Sequence, residues 1–202
     1  MLNSDQEPSI EARTQEVNRV KRVSDVEVVC EDSPVGESQS NGDAERGIRE
    51  VKGQMRTMRG AMDSRYEERI SPDHPALSWL ARHAGSTITR YMVGIDGRTA
   101  HERLRGRIFR KEVVEFAECV WYLTPQIRGS TGVGSRWSEG IWLGIREESG
   151  EARIGTEDGV IKVRSVRRKA SGKERWKKEL LDTMKGTPWR PTVQETARLM
   201  RR

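Results

Sequence analysis

Ser38–Arg59 reads SQSNGDAERGIREVKGQMRTMR, a polar, glycine-containing loop running into a long helix. At about 100° per residue, Arg49, Lys52, Arg56 and Arg59 fall within about 40° of Glu45. Ala44, Ile48, Val51, Met55, Met58 and Met62 form a second stripe centred about 100° away. The spacing predicts a helix that buries one stripe and presents a basic one headed by a single acid. Ser40-x-x-Asp43 has the form of a capping box, and Asn41-Gly42 breaks the structure before it. A carboxylate in the first turn also interacts favourably with the helix dipole. On spacing alone, a solvated acid and a solvated charged face are the simpler account of these residues.

Outward from this helix, charge is distributed unevenly. The 202 residues carry a net charge of +6, with 34 % charged and 34 % hydrophobic residues. Residues 1–45 hold 11 acids and 4 bases, whereas 46–202 hold 20 acids and 33 bases. A modest core and an ionic surface follow, and the basic remainder points to a polyanionic partner, most often nucleic acid. No apolar run approaches the roughly 20 residues of a membrane span, so no membrane partner is expected. Cys30 and Cys119 make neither a disulfide framework nor a Cys-x-x-Cys site, and His74, His83 and His101 lack metal-ligand spacing. Both cysteines sit in strand-like apolar runs and read as buried thiols.

In chain order, Met1–Asn3 reads as a strand end, Ile10–Val23 as a thin amphipathic helix, Val26–Cys30 as a strand and Glu31–Gly42 as a loop. The basic-stripe helix ends near Met62–Ser64, and a charged connection follows. A second helix, Ala76–Gly94, places Leu77, Leu80, Ala81, Ala84, Ile88 and Tyr91 at helical spacing, with Gly94 as its stop. Thr99-x-x-Glu102 caps a short helix. From Ile108 the period becomes that of strands. Glu112–Pro125, Gly140–Arg146, Glu151–Thr156 and Val160–Val166 are expected strands, with turns at Glu148-Ser149-Gly150 and Glu157-Asp158-Gly159. Four or five short strands with tight turns suggest a small SH3-like barrel. Lys162, Arg164, Arg167 and Arg168 make its last strand basic, though a solvated strand face would look the same. Lys173–Met184 reads as an amphipathic helix, Gly186–Thr192 as an extended breaker, and this C-terminal tail as a whole either lacks order or docks through Trp176 and Trp189.

The segment SQSNGDAER resembles the one around the last catalytic acid of retroviral and retrotransposon integrases, whose small-Asn/Gln-Gly-x-x-Glu-Arg pattern opens a helix of the catalytic core. Upstream, LNSDQEPSI resembles the strand-end segment carrying that family's second catalytic Asp. Gly97-Arg98-Thr99-Ala100-His101-Glu102 is similar to a stretch that follows the core in copia-type polyproteins, with Ala100 where proline is usual.

The resemblance implies an α+β chain. Its parts would be the C-terminal portion of a ribonuclease-H-like integrase core (1–70), a helical extension (71–107), a small SH3-like barrel (108–168) and a basic helical tail (169–202). It maps two catalytic, metal-ligating acids onto Asp5 and Glu45, which would hold Mg²⁺ or Mn²⁺ in a complete core. It makes Arg46, Arg49, Lys52, Arg56 and Arg59, with Lys162, Arg164, Arg167 and Arg168, the expected DNA contacts. The family's remaining acid lies on an earlier strand, upstream of the segment that maps onto Asp5, and the expectation is that this chain does not hold it. The expectation is therefore a fragment inactive alone, DNA-binding, oligomeric as the intact protein and nuclear, with the cytoplasm as a second location. A non-catalytic nucleic-acid or chromatin-binding module is the alternative, and RNA is a second partner class for the barrel.

Overall fold

A computed structural model describes residues 2–4, 30–32, 42–124 and 136–192. The chain divides into two compact units, Met1–Glu50 and Val51–Arg202. In the first, β1 (Leu2–Ser4) pairs in parallel with β2 (Cys30–Asp32), Leu2 opposite Cys30 and Ser4 opposite Asp32. Both strands therefore end at the same edge. The expected strand Val26–Cys30 overlaps β2 only at Cys30. The expected helix Ile10–Val23, the capping serine Ser40 and Asp5 lie outside the described residues.

Helix α1 (Gly42–Arg65) follows, and the unit boundary falls within it. Its interior glycines each cost helical stability, on the order of 1 kcal/mol relative to Ala. Packing at its C-terminal half offsets this: Met62 and Tyr66 are buried, with Met55 and Met58 packed beside them. Towards the N-terminus the apolar stripe is uncovered, and Ile48 is 56 % exposed. Helix α2 (Pro75–Tyr91) starts with Pro75 in its first turn and His74 as cap, whose Nδ1 accepts from the Ala76 N–H at 3.2 Å. It ends at Tyr91 rather than Gly94, because Met92 is already extended. Gly94 instead opens a turn, its N–H donating to the Arg98 carbonyl. Helix α3 (Ala100–Arg105) has the expected capping box: the Glu102 N–H donates to Thr99 Oγ1 and the Thr99 N–H to Glu102 Oε2. Gly106, at φ 67°, closes it in the left-handed region that glycine enters without strain.

The remaining strands are β3 (Cys119–Leu123), β4 (Trp137–Ile145), β5 (Ala152–Thr156), β6 (Gly159–Val163) and β7 (Val166–Arg168). They form one open antiparallel sheet in the order β6-β5-β4-β3-β7. β6 and β7 occupy opposite edges, yet only Arg164 and Ser165 join them. That link spans at most about 11 Å, whereas a flat five-stranded sheet would hold its edges about 19 Å apart. The sheet must curl. Its concave packing agrees, since Ile161 and Val163 from one edge and Val166 from the other share a cluster with Val120, Tyr122, Trp142 and Ile154. The opposite face, through Cys119, Ile141 and Leu143, packs on Met62, Tyr66, Trp79, Leu80, Leu181 and Met184. Successive side chains point to opposite faces, so β3 and β4 read as nearly continuous apolar runs because both of their faces are covered.

Three expected elements are revised. Residues 112–118 are not strand: Ala117 has a positive φ of 66° and its N–H donates to the Trp142 carbonyl, so the ladder starts only at Cys119. Val160–Val166 is two strands broken at Arg164–Ser165. Lys173–Met184 is a 3₁₀ turn (Lys173–Trp176) and then helix α4 (Lys178–Thr183), with Lys177 extended between them. This segment docks through Trp176, edge-on to Tyr66 at 5.4 Å, and through Leu181 and Met184, while Trp189 is 72 % exposed. Beyond it, the Trp79 Nε1–H donates to the Gly186 carbonyl at 3.0 Å and the Val160 N–H to the Pro191 carbonyl at 2.6 Å.

Candidate nucleic-acid interface

Cations of the second unit gather where α3, the strap after it and the β4–β5 turn meet. Phe109 anchors the strap: Arg90 lies 4.6 Å over its ring, and Tyr91 and His101 meet it edge-on at 5.9 and 5.3 Å. Lys111 Nζ donates to the Gly150 carbonyl at 2.7 Å and Arg105 Nη2 to the Glu147 carbonyl at 3.4 Å, tying strap and helix to the turn. The result is a groove of about 870 Å³ lined by Arg90, Arg105, Arg107, Arg110, Lys111 and Arg146 against two carboxylates, Glu147 and Glu148. Glu148 is engaged by Arg146 at 2.8 Å. Lys111 and Arg105 bond carbonyl oxygens, which leave their charge in place. Burial lowers the pKa of Arg90, and the carboxylate of Glu147 partly opposes that.

A groove with this excess of guanidinium groups suits phosphate oxygens, because the planar fork can bind two of them at once. Sequence reasoning passed over it. The run Arg103–Lys111 (RLRGRIFRK) is visibly basic, but its meeting with residues about 40 positions later is a tertiary event.

The expected contact residues are scattered. Glu45, Arg46, Arg49, Lys52 and Arg56 are exposed on α1. Arg59 is turned to structural use: Nη2 donates to the Ile70 carbonyl at 3.2 Å, and Nε lies 3.9 Å from Asp63. Lys162 is exposed on β6 opposite Arg153, and Arg164 is exposed with Glu151 at 3.8 Å. Arg167 lies 4.7 Å over the Trp137 ring. Arg168 is committed to Glu118, a fully buried carboxylate that accepts from its Nε and Nη2, both at 2.8 Å. Glu139 similarly gathers Lys169, which is almost fully buried, at 2.6 Å and Lys177 at 3.2 Å, and these contacts lower its pKa. The structure thus groups Arg168 with a buried ion-pair network, Lys162 with the β6 edge and Arg164 with the link between β6 and β7.

Glu45 is the one expected metal ligand within the described residues. Among those residues no three His, Cys, Asp or Glu side chains gather as a ligand set. No described helix is long and apolar enough to cross a membrane. No protein-family model matches the chain, and no curated protein is significantly similar to it.

Proposed function

We propose that the chain is a DNA-binding portion of a mobile-element integrase of the retrotransposon type. The observation that carries the DNA-binding part is the groove, with its six cationic side chains against two acids. Each phosphate neutralised there releases counterions, which gives salt-dependent affinity. The curled five-stranded sheet, with a return strand beside β3, is what a small SH3-like barrel requires, and such a barrel is the DNA-binding module of the resemblance.

The catalytic part of the proposal rests on the first unit. The parallel pairing of β1 and β2 aligns their carboxyl ends, Asp5 is the residue after β1, and Glu45 stands in the first turn of the helix that follows β2. In a complete core Asp5 and Glu45, with a third acid, would hold Mg²⁺ or Mn²⁺, hard ions suited to carboxylate oxygens. Such ions activate an attacking oxygen and stabilise a leaving one in phosphoryl transfer. Arg49, Lys52 and Arg56, exposed along α1 from Glu45, would contact the DNA backbone.

The test is fluorescence anisotropy with duplex DNA across a salt series. Replacing Arg105, Arg107 and Arg110 by Gln is expected to weaken binding for every sequence and to reduce the slope of log K against log salt by about 2 to 3. An unchanged slope would remove the groove from the interface. A non-catalytic nucleic-acid or chromatin-binding module is the second reading, favoured because the groove residues all lie in Val51–Arg202, outside the unit that contains Glu45. Glu45→Gln separates the two. It should abolish calorimetric Mn²⁺ binding if the acid is a metal ligand and leave DNA affinity unchanged if the module is non-catalytic.

A further inference from the structure

Beside the groove lies a second cavity of about 360 Å³, between the C-terminal half of α1, α2, the strap and β4. Five rings stand in its wall, Tyr91, Phe109, Phe116, Trp142 and Trp176, among aliphatic side chains such as Met58, Met62, Val114 and Ile145. The two spaces share Arg90, Phe109 and Ile145 in their walls, so they adjoin there. The acids on the aromatic cavity's wall are already engaged. Glu115 accepts from Arg65 Nε and Nη2, both at 3.1 Å, and Glu112 lies 3.6 Å from Arg168. Arg90 is 9 % exposed, with its guanidinium 4.6 Å over Phe109, at the wall that the apolar and cationic spaces have in common.

A mainly apolar cavity with rings in its wall, adjoining a groove whose cations outnumber its carboxylates, matches one kind of ligand well: a flat, uncharged ring carried on a polyanionic chain. A nucleobase with its flanking phosphates has that form, and aromatic side chains and guanidinium planes are the groups on which unstacked bases settle. A base pair within a duplex cannot enter, because its two bases are stacked and joined. We propose that the aromatic cavity receives the base of an unpaired nucleotide while the groove cations hold the phosphates on either side. The chain then prefers a bulged, frayed or single-stranded site to a fully paired one. This rests on the reading of the groove as a nucleic-acid interface.

The experiment uses the full chain and three oligonucleotide duplexes alike except at one position: a bulged 2-aminopurine, the same 2-aminopurine paired with thymine, and an abasic bulge. Anisotropy of a distal dye reads affinity, and 2-aminopurine emission reads the base's surroundings. The bulged base is expected to bind at least about 5-fold more tightly than either control, with a saturable change in its emission. Tyr91→Ala, at an exposed ring on the cavity wall, should remove most of that preference. Ala61→Phe, at an exposed position of α1 that lines the same space, should block it by filling the cavity. Equal affinity for all three duplexes, with unchanged emission, would overturn the base pocket and leave the groove interface standing. Failure to bind any of them, with binding instead to an acidic poly(Glu,Tyr) copolymer, would overturn both.

Discussion

His83 shows at the scale of one residue what burial does to a titrating group. Its ring lies 5.2 Å from Phe116, and burial, with the nearby Arg90 charge, depresses its pKa to about 4. In the unfolded chain it titrates near 6.5. Between those values the unfolded state binds a proton that the folded state refuses, so stability is lost as pH falls from about 6.5 to 4. The loss from this residue is on the order of 3 kcal/mol. Urea unfolding at pH 7 and pH 4.5 measures it, and His83→Leu, which cannot titrate, should flatten the difference by most of that amount. His74 shifts in the same direction, but its pairing is different. Its Nδ1 accepts from the Ala76 N–H, which leaves Nε2 as the protonated nitrogen donating to the Leu181 carbonyl at 3.1 Å. The comparison of variant with parent isolates His83 from it.

At the scale of the element, charge pairing holds β7 to the sheet. This strand has three residues and pairs only with β3, Val120 opposite Arg168 and Tyr122 opposite Val166. The bidentate Arg168–Glu118 contact reinforces it, and Arg175 lies 3.7 Å from the same carboxylate. Removing Arg168 would leave the buried carboxylate with only the longer Arg175 contact for charge compensation, and an under-compensated buried charge costs more than the pair itself is worth. Arg168→Met should therefore destabilise by about 3 kcal/mol in chemical denaturation, and Arg168→Lys should recover only part of it, since an ammonium cannot reproduce the two-pronged contact. A second element-scale device is the turn between β5 and β6. Gly159 sits at φ 121°, and a Cβ there would lie 2.3 Å from the Pro191 carbonyl oxygen, so only glycine lets the 186–192 segment run along this sheet edge.

At the scale of the whole molecule, both hydrophobic clusters lie within Val51–Arg202. The sheet alone would leave Cys119, Ile141 and Leu143 uncovered. The end of α1, α2 and α4 cover them, each from a different part of the chain. A fragment beginning at Gly42, which retains the whole of α1, is therefore expected to unfold in a single cooperative transition and to keep the salt-dependent DNA affinity of the full chain. Thermal unfolding followed by circular dichroism, together with anisotropy, checks both. Broad, non-cooperative melting would mean that residues before Gly42 supply part of the core.

The sequence by itself determined what is local. The period of residues 76–91, the Thr99/Glu102 capping box and the glycines at 150 and 159 specify their elements through contacts a few residues apart, and each stands in the structure. Runs of β-branched and aromatic residues bounded by turn residues likewise located β4 and β5, while the starts of β3 and of β7 were missed. Tertiary structure alone decided what depends on distant partners. Lys169 and Glu139 are 30 positions apart, and Arg168 and Glu118 are 50 apart, so nothing near either cation marks it as buried. The break at Lys177 follows from docking Trp176 on Tyr66 and Leu181 in the core, against a local pattern that favours one continuous helix. The groove arises the same way. Its arginines are plain in the chain, but only the anchoring of Phe109 and the contacts of Lys111 and Arg105 bring the strap against the β4–β5 turn, and charge density depends on that proximity rather than on composition.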